Sequence, residues 1–332
     1  MKNKITLNHL KFKNIVKFMN FIKNNHYKNH ILAKNKKVIN WFYRDKKKLN
    51  FIVALKNNDI LGVQGFIPFS KFDKKIKKIC FLSYWRVKLS KEVGIGVRLF
   101  HMLKKQNYDF LGVLGLKKSL LNYHRWQGFK TGKLNHHFFI NGDLKKKTII
   151  KNNFIVDYKK IKTQINLLNK KNINFIDDNI FKFQFPEKTK KYLTERYLKN
   201  DFYQYKLYNI KSTQINLILV LRVIKVLNIK ILKLVDLIGD DININLIGSS
   251  MQKLLKKHKA EYLDFYSYGV NKKKLELAGF LNRWKTNEII PDHFEPYENK
   301  NIDIYYGFIT KTKKRVRFFK GDGDMDRPSI SN

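Results

Sequence analysis

The sequence predicts an α/β fold of the α+β, mixed-sheet kind: two tandem domains, each a central mixed β-sheet flanked by helices. Runs rich in aromatic and β-branched residues alternate with amphipathic stretches of helical period. The order strands, helix, strand, short helix, Gly-Phe occurs once up to Gly128-Phe129 and again up to Gly279-Phe280. With 332 residues the chain is long enough for two domains of ordinary size, each with its own core.

Taken in order, residues 10–23 read as an opening helix. A strand pair follows, 51–55 and 60–67, joined by the turn signal Asn57-Asn58-Asp59. Residues 81–89 read as a long, largely buried strand. From Val97 the apolar residues Val97, Phe100, Met102 and Leu103 fall near helical spacing and leave Arg98, Lys104 and Lys105 for solvent. A strand at 110–116, a short helix, Gly128-Phe129 and a strand at 137–140 complete this half. The run Gly142-Asp143-Leu144-Lys145-Lys146-Lys147 then breaks the apolar pattern, which predicts domains at 1–143 and 144–332. The second half begins with a strand-like 174–176 and a helical segment from about 187 to 198. Strands at 217–223 and 231–238, a helix at 247–258, a strand at 262–266 and Leu277-Ala278-Gly279-Phe280 follow.

The net charge of +43 raises the question of a polyanionic partner. The lysines are spread along the whole chain, however, and the arginines, which read phosphates and bases best, are few. Enrichment in Lys, Asn, Ile and Phe together points to coding bias, so nucleic acid is expected to bind only non-specifically. A lone cysteine, Cys80, excludes a disulfide framework and a cysteine-based zinc site and reads as a buried strand residue. No apolar run approaches the ~20 residues that span a bilayer, and the opening Met-Lys-Asn-Lys-Ile-Thr leads into no signal-peptide core. A cytoplasmic protein, monomer or homodimer, is the expectation.

The segment Lys91-Glu92-Val93-Gly94-Ile95-Gly96-Val97 lies between a strand and an amphipathic helix. Glycines let a ligand approach the main chain, and a helix start offers unpaired N–H groups and a positive dipole end, a fit for a diphosphate. The Gly-x-Gly-x-x-Gly and Gly-Lys-Ser/Thr spacings of dinucleotide folds and nucleotide triphosphatases are absent. The pattern resembles the acyl-CoA loop of the GNAT acyltransferases, Gln/Arg-x-x-Gly-x-Gly/Ala, with Lys91 at the Gln/Arg position and Gly94 and Gly96 at the small positions. The order of elements over roughly residues 1–140 is also similar to the GNAT order, and its recurrence makes the chain resemble a tandem GNAT pair. A looser likeness, to tandem GNAT proteins of bacterial surface-polysaccharide clusters, includes Asn29-His30-Ile31-Leu32 and the chain's ending. The resemblance implies acetyl-CoA or another acyl-CoA as co-substrate, no metal, and a cofactor site at Arg86, Val87, Leu89, Lys91, Val93, Gly94, Ile95, Gly96 and Val97. In the second copy Asp240-Asp241 stand where the first has its glycines, and acidic residues repel a diphosphate. That copy is expected to have lost CoA binding and to shape the acceptor pocket.

Acyl transfer to an amine needs aligned reactants, a neutral amine and a proton for the departing thiolate. The family often draws that proton from a helix tyrosine four residues before the Gly of Gly-Phe. Here His124 holds the position and Tyr123 stands beside it, so Tyr123 is the expected acid with His124 as the alternative, or both only pack. Asp236 and Asp264, in apolar strands, are candidate bases if burial raises their pKa, although pairing with a cation such as Arg222 is the commoner outcome. His26 and His30, in the loop after the first helix, and Trp85 are candidates for acceptor binding. Two histidines without a carboxylate or cysteine nearby make a poor metal site. The acidic tail 320–328 fails the EF-hand pattern and reads as a solvated turn.

The expected function is acyl-CoA-dependent N-acyl transfer, acetyl first of all, to an amine of an amino sugar or nucleotide-linked amino sugar for surface glycan synthesis. The alternatives are a FemAB-like aminoacyl transferase using aminoacyl-tRNA and a catalytically inactive binding module.

Overall fold

A computed structural model describes residues 4–89 and 92–328. They fall into two compact units, each built on an eight-stranded mixed sheet. One unit takes Met1–Gly132, Tyr305–Thr312 and Gly323–Asn332; the other takes Lys133–Ile304 and Lys313–Asp322.

The first unit opens with a strand, β1 (Thr6–Lys11), where the sequence suggests a helix from residue 10. Its polar-rich alternation suits an edge position, antiparallel to β3. α1 (Ile15–Asn25) then buries Ile15, Phe18, Phe21 and Ile22, a helical stripe. Two short helices follow: α2 (Ile31–Lys34), capped by the His30 side chain, and α3 (Lys36–Tyr43), capped by Asn35. After β2 (Arg44–Asp45), strands β3 (Lys48–Lys56) and β4 (Asp59–Pro68) form the expected hairpin. Asn57 and Asn58 both take left-handed angles, φ 48° and 68°, as the turn that matches strand twist requires. β5 (Ile79–Val87), α4 (Ile95–Lys104), β6 (Phe110–Leu116), α5 (Leu121–Trp126) and β7 (Lys130–Lys133) complete the run.

In the second unit the chain forms β8 (Asn135–Ile140), β9 (Gln164–Leu168), α6 (Lys190–Leu193), β10 (Tyr205–Lys211), β11 (Asn216–Val226) and β12 (Ile229–Gly239). α7 (Gly248–His258), β13 (Tyr262–Tyr268), α8 (Lys272–Leu277) and β14 (Leu281–Asn282) follow. It then returns to the first unit as β15 (Tyr305–Thr310) and to the second as β16 (Phe318–Phe319). The sheet orders are β1-β3-β4-β5-β6-β15-β7, with β2 on β3, and β14-β8-β13-β12-β11-β10-β9, with β16 on β13.

Each sheet thus includes a strand from the other half of the sequence. β8 pairs antiparallel with β13, and β15 holds the equivalent place beside β6. The division differs from the single border expected at 143/144 because the apolar 137–140 run completes the second sheet: Phe138, Phe139 and Ile140 are fully buried there. Residues 174–176 lie in and just after a 3-10 turn (Ile173–Phe175), not a strand. The tail is no solvated turn either, since Lys320, Asp322, Asp324 and Asp326 are all buried. Among the described residues no helix is long and apolar enough to cross a membrane.

Candidate functional site

β5 and β6 run parallel from Ile79↔Phe110 to Leu82↔Val113, and among the described residues no ladder between them extends further. Beyond that pair β5 stays with β4 as far as Gly62↔Val87, while β6 stays with β15 as far as Leu116↔Tyr305. Each strand follows its other neighbour, so the two part as a V. A cleft of about 220 Å3 fills the opening, walled by residues 82–86 and 113–117. His26, Leu120 and His124 also line it, as do Asp324, Met325 and Arg327 of the tail.

A β-bulge sets which side chains meet there. Gln64 faces Trp85 and Phe66 faces Leu82, so Gly65 alone stands opposite Ser83 and Tyr84. Tyr84 consequently turns to the loop after α1. Its hydroxyl lies 3.2 Å from His26 Nδ1, and its ring lies 5.0 Å from that of His30. Arg86, one pleat on, donates from Nε to the Asn25 carbonyl at 2.5 Å. Burial, reinforced by Arg86, Lys117 and Arg327, lowers the pKa of His26. Burial with Arg327 and His26 lowers that of His30 to about 3, and His30 Nδ1 accepts from Leu32 N–H. Both rings are therefore neutral at pH 7, and His26 can accept a proton.

Trp85 points the opposite way, to α4. A Cβ on Gly96 would sit 2.9 Å from the indole, so Gly96 lets the helix close over Trp85. Gly94 has a different task. It takes φ +78° at the N-cap of α4, with nothing within 4 Å of where a Cβ would stand. That helix start has no side-chain cap and no acidic residue in its first turn, which leaves first-turn N–H groups for an anion. Leu89 and Val93, each 94 % exposed, flank it, Ile95 is buried, and Val97 is half-buried; Lys91 lies outside the described residues. Val87 packs on the core beneath α4.

On α5, His124 is buried and lines the cleft, with Nδ1–H donated to the Leu120 carbonyl at 2.9 Å. Its Nε2 is then a lone pair, and burial lowers its pKa. The Tyr123 ring packs against Trp85 and Phe100, each at 5.7 Å. Its buried hydroxyl has no partner among the described residues, and burial raises its pKa.

This architecture matches solved structures. A GCN5-related N-acetyltransferase from Anabaena variabilis superposes with a TM-score of 0.58 at 9% identity, covering 92% of this chain and 72% of that one. A putative acetyltransferase from Pyrococcus horikoshii gives 0.52 at 9%, covering 100% and 97%. A conserved protein from Enterococcus faecalis, described as a probable N-acyltransferase, gives 0.55 at 8%, covering 92% and 72%. The fold is that of two tandem GNAT-like domains. No family model and no curated protein matches the sequence.

The second GNAT-like domain has the same parallel pair, β12 with β13 from Leu232↔Leu263 to Leu234↔Phe265, but its V is filled by the chain itself. Phe318 and Phe319 pair with Tyr268 and Ser267, and Gly321 N–H donates to the Val235 carbonyl at 2.8 Å. Arg317 reaches the Gly239 carbonyl at 2.6 Å. Asp241, expected to repel a diphosphate, is instead held by both ends of the Arg315 guanidinium at 2.8 Å and by Arg317 at 2.7 Å. The start of α7 is covered too, with Gly248 against Tyr158 and Ser249 Oγ accepting from Ile161 N–H.

The two carboxylates considered as bases are locked in this domain. Asp236 binds Lys188 at 2.5 Å and Tyr197 Oη at 2.8 Å, and Lys188 also binds Asp322 at 2.7 Å. Asp264 accepts from His136 Nε2 at 2.6 Å and lies 3.6 Å from Lys233. Neither pairs with Arg222, whose guanidinium stacks on Tyr203, and neither lines the first domain's cleft. Buried, partnered carboxylates of this kind hold structure together. The sequence reading missed Tyr84, Lys117, Asp324 and Arg327. Tyr84 depended on a bulge, and the other three on where their segments dock, for which no local periodicity exists.

Proposed function

We propose that the first domain transfers an acyl group, acetyl first of all, from acyl-CoA to an amine, and that the amine belongs to an amino sugar or nucleotide-linked amino sugar. The observation that carries the reading is the V between β5 and β6 beside the uncapped, glycine-started α4. A V-shaped gap leaves strand backbone free to bind the amide-rich pantetheine arm, and the helix start suits the diphosphate. Gly94 and the N–H groups of Ile95, Gly96 and Val97 would hold that diphosphate.

In this reading the amine nitrogen attacks the thioester carbon, the C–S bond breaks, and the thiolate takes a proton. Neutral His26 removes the first proton from the ammonium, and the second proton that the nitrogen sheds as the amide forms passes through solvent to replace the one that Tyr123 gives to sulfur. Tyr123 supplies the proton to sulfur, because the His124 Nδ1–H is already committed to a carbonyl and its Nε2 has none to give. The second domain binds no acyl-CoA, since its own chain occupies the V.

Acetyl-CoA should raise the melting temperature of the protein, and Gly94→Asp should abolish the rise; the site has open space but φ +78° strains any side chain, so Gly94→Ala, with the same strain and no charge, is the control and should keep most of the rise. Gly96→Asp is a poorer test, because it would collide with Trp85 whether or not CoA binds. A full shift in Gly94→Asp would overturn the assignment.

A further inference from the structure

Two of the chain's ten arginines, Arg86 and Arg327, and a lysine, Lys117, line one cleft of about 220 Å3. They arrive from three separate segments: β5, the turn after β6, and the tail more than two hundred residues further on. The two arginines are held in place. Arg86 is fixed through Nε to the Asn25 carbonyl, and Arg327 through Nε to Asp324 Oδ2 at 3.1 Å. Asp324 is itself fixed by the buried Tyr43 hydroxyl at 2.9 Å, and Met325 packs on Gly115, so the tail is anchored just before Arg327.

The cleft contains one carboxylate, Asp324, and that group is already shared between Tyr43 and Arg327. Three cations therefore face one committed anion, and nothing among the described lining residues balances the excess. Coding bias does not account for this, because it supplies lysine: arginines are ten of sixty-nine basic residues. A guanidinium anchored by Nε presents a planar fork suited to a carboxylate or phosphate, whereas a lysine offers only a point charge.

We infer that the acceptor is an anionic amine, whose carboxylate or phosphate group is gripped by Arg86, Lys117 and Arg327 while its nitrogen is directed at the β5–β6 opening. The inference rests on the acyl-transfer reading for the identity of the reacting group, but the anion site stands on the cations alone. The same cations help to keep His26 neutral, so the groups that recognise the anion also ready the base beside it.

The test uses the full chain and matched pairs of amines: glucosamine against glucosamine 6-phosphate and a uridine-diphosphate-linked amino sugar, and an amino acid against its amide. Binding is read by calorimetry without acetyl-CoA, and turnover with it. The anionic member of at least one pair should bind and react about 100-fold better. The phosphate and carboxylate arms identify which oxyanion is preferred. Arg86→Gln and Arg327→Gln should each erase that preference, and Arg327→Gln should do so with the acetyl-CoA melting shift intact; Arg327→Lys, which retains charge without the fork, should recover part of it. Equal binding of charged and neutral partners in every pair would overturn the inference. So would an equal loss for both partners in the variants with the melting temperature unchanged. Loss of the acetyl-CoA shift in the unaltered protein would overturn the acyl-transfer reading instead, and the calorimetric preference would still decide the anion site.

Discussion

At the scale of single residues, the proton donor and acceptor make separable predictions. Tyr123→Phe removes a buried hydroxyl that has no partner among the described residues, so folding should be little affected, while kcat should fall about 100-fold with acetyl-CoA affinity retained. His124→Gln should leave most activity; a 100-fold loss there with full activity in Tyr123→Phe would pass the role to the histidine. His26, with its pKa lowered below the ordinary 6.5, should place the acid limb of the kcat/KM profile below that value, and His26→Gln should remove the limb. Stability should follow pH through two other histidines. His30 and His137 are both lowered to about 3, chiefly by burial. A group whose folded pKa is depressed binds fewer protons folded than unfolded, so its contribution is complete above about 6.5 and is lost as pH falls toward 3. Urea midpoints measured across that window should drop steadily, and the drop should be smaller in His137→Phe. That ring has no partner on either nitrogen among the described residues, so the phenylalanine variant should also be more stable at pH 7, by about 1 kcal/mol.

Among elements, the two V-shaped openings differ in what fills them, and the second one predicts a clear phenotype. Arg317→Ala would leave Asp241 with Arg315 alone and remove the hold on the Gly239 carbonyl. Breaking a buried pair costs about 3–5 kcal/mol, so the urea midpoint should fall markedly, with the acetyl-CoA shift of the first domain kept if the protein is assayed below its new midpoint. How far the sequence foretold these elements depended on how local their causes are. The β3–β4 hairpin was legible because Asn57 and Asn58 satisfy a turn by themselves, and α4 because its apolar stripe follows the glycines. β1 was hidden because four polar residues in TLNHLK leave little apolar signal. Likewise Asp236 and Asp264 could be seen in apolar strands, but their partners Lys188 and His136 lie far off in sequence, so locked and reactive carboxylates looked alike.

For the whole molecule, the reading of one open V and one filled V predicts a single acetyl-CoA per chain by calorimetry; two equivalent sites would refute it. Binding to any tRNA or duplex should collapse between about 50 and 200 mM salt, as phosphate contacts from scattered lysines do. Tight, salt-resistant binding to an aminoacyl-tRNA would bring the FemAB-like alternative forward. The repeated order of elements announced two GNAT-like domains, yet where each ends was not legible, because 137–140 and 305–310 are ordinary strands whose sheet is chosen by distant neighbours.

That choice of neighbours sets a timetable for the ribosome. The first sheet is left with the side of β6 bare until β15 emerges, and its cleft lacks Arg327 until segment 323–328 follows. At about 5–20 residues per second, the nascent chain would carry an open, apolar sheet edge for on the order of ten to forty seconds. A fragment of residues 1–143 would carry it permanently, and it should aggregate where the full chain does not.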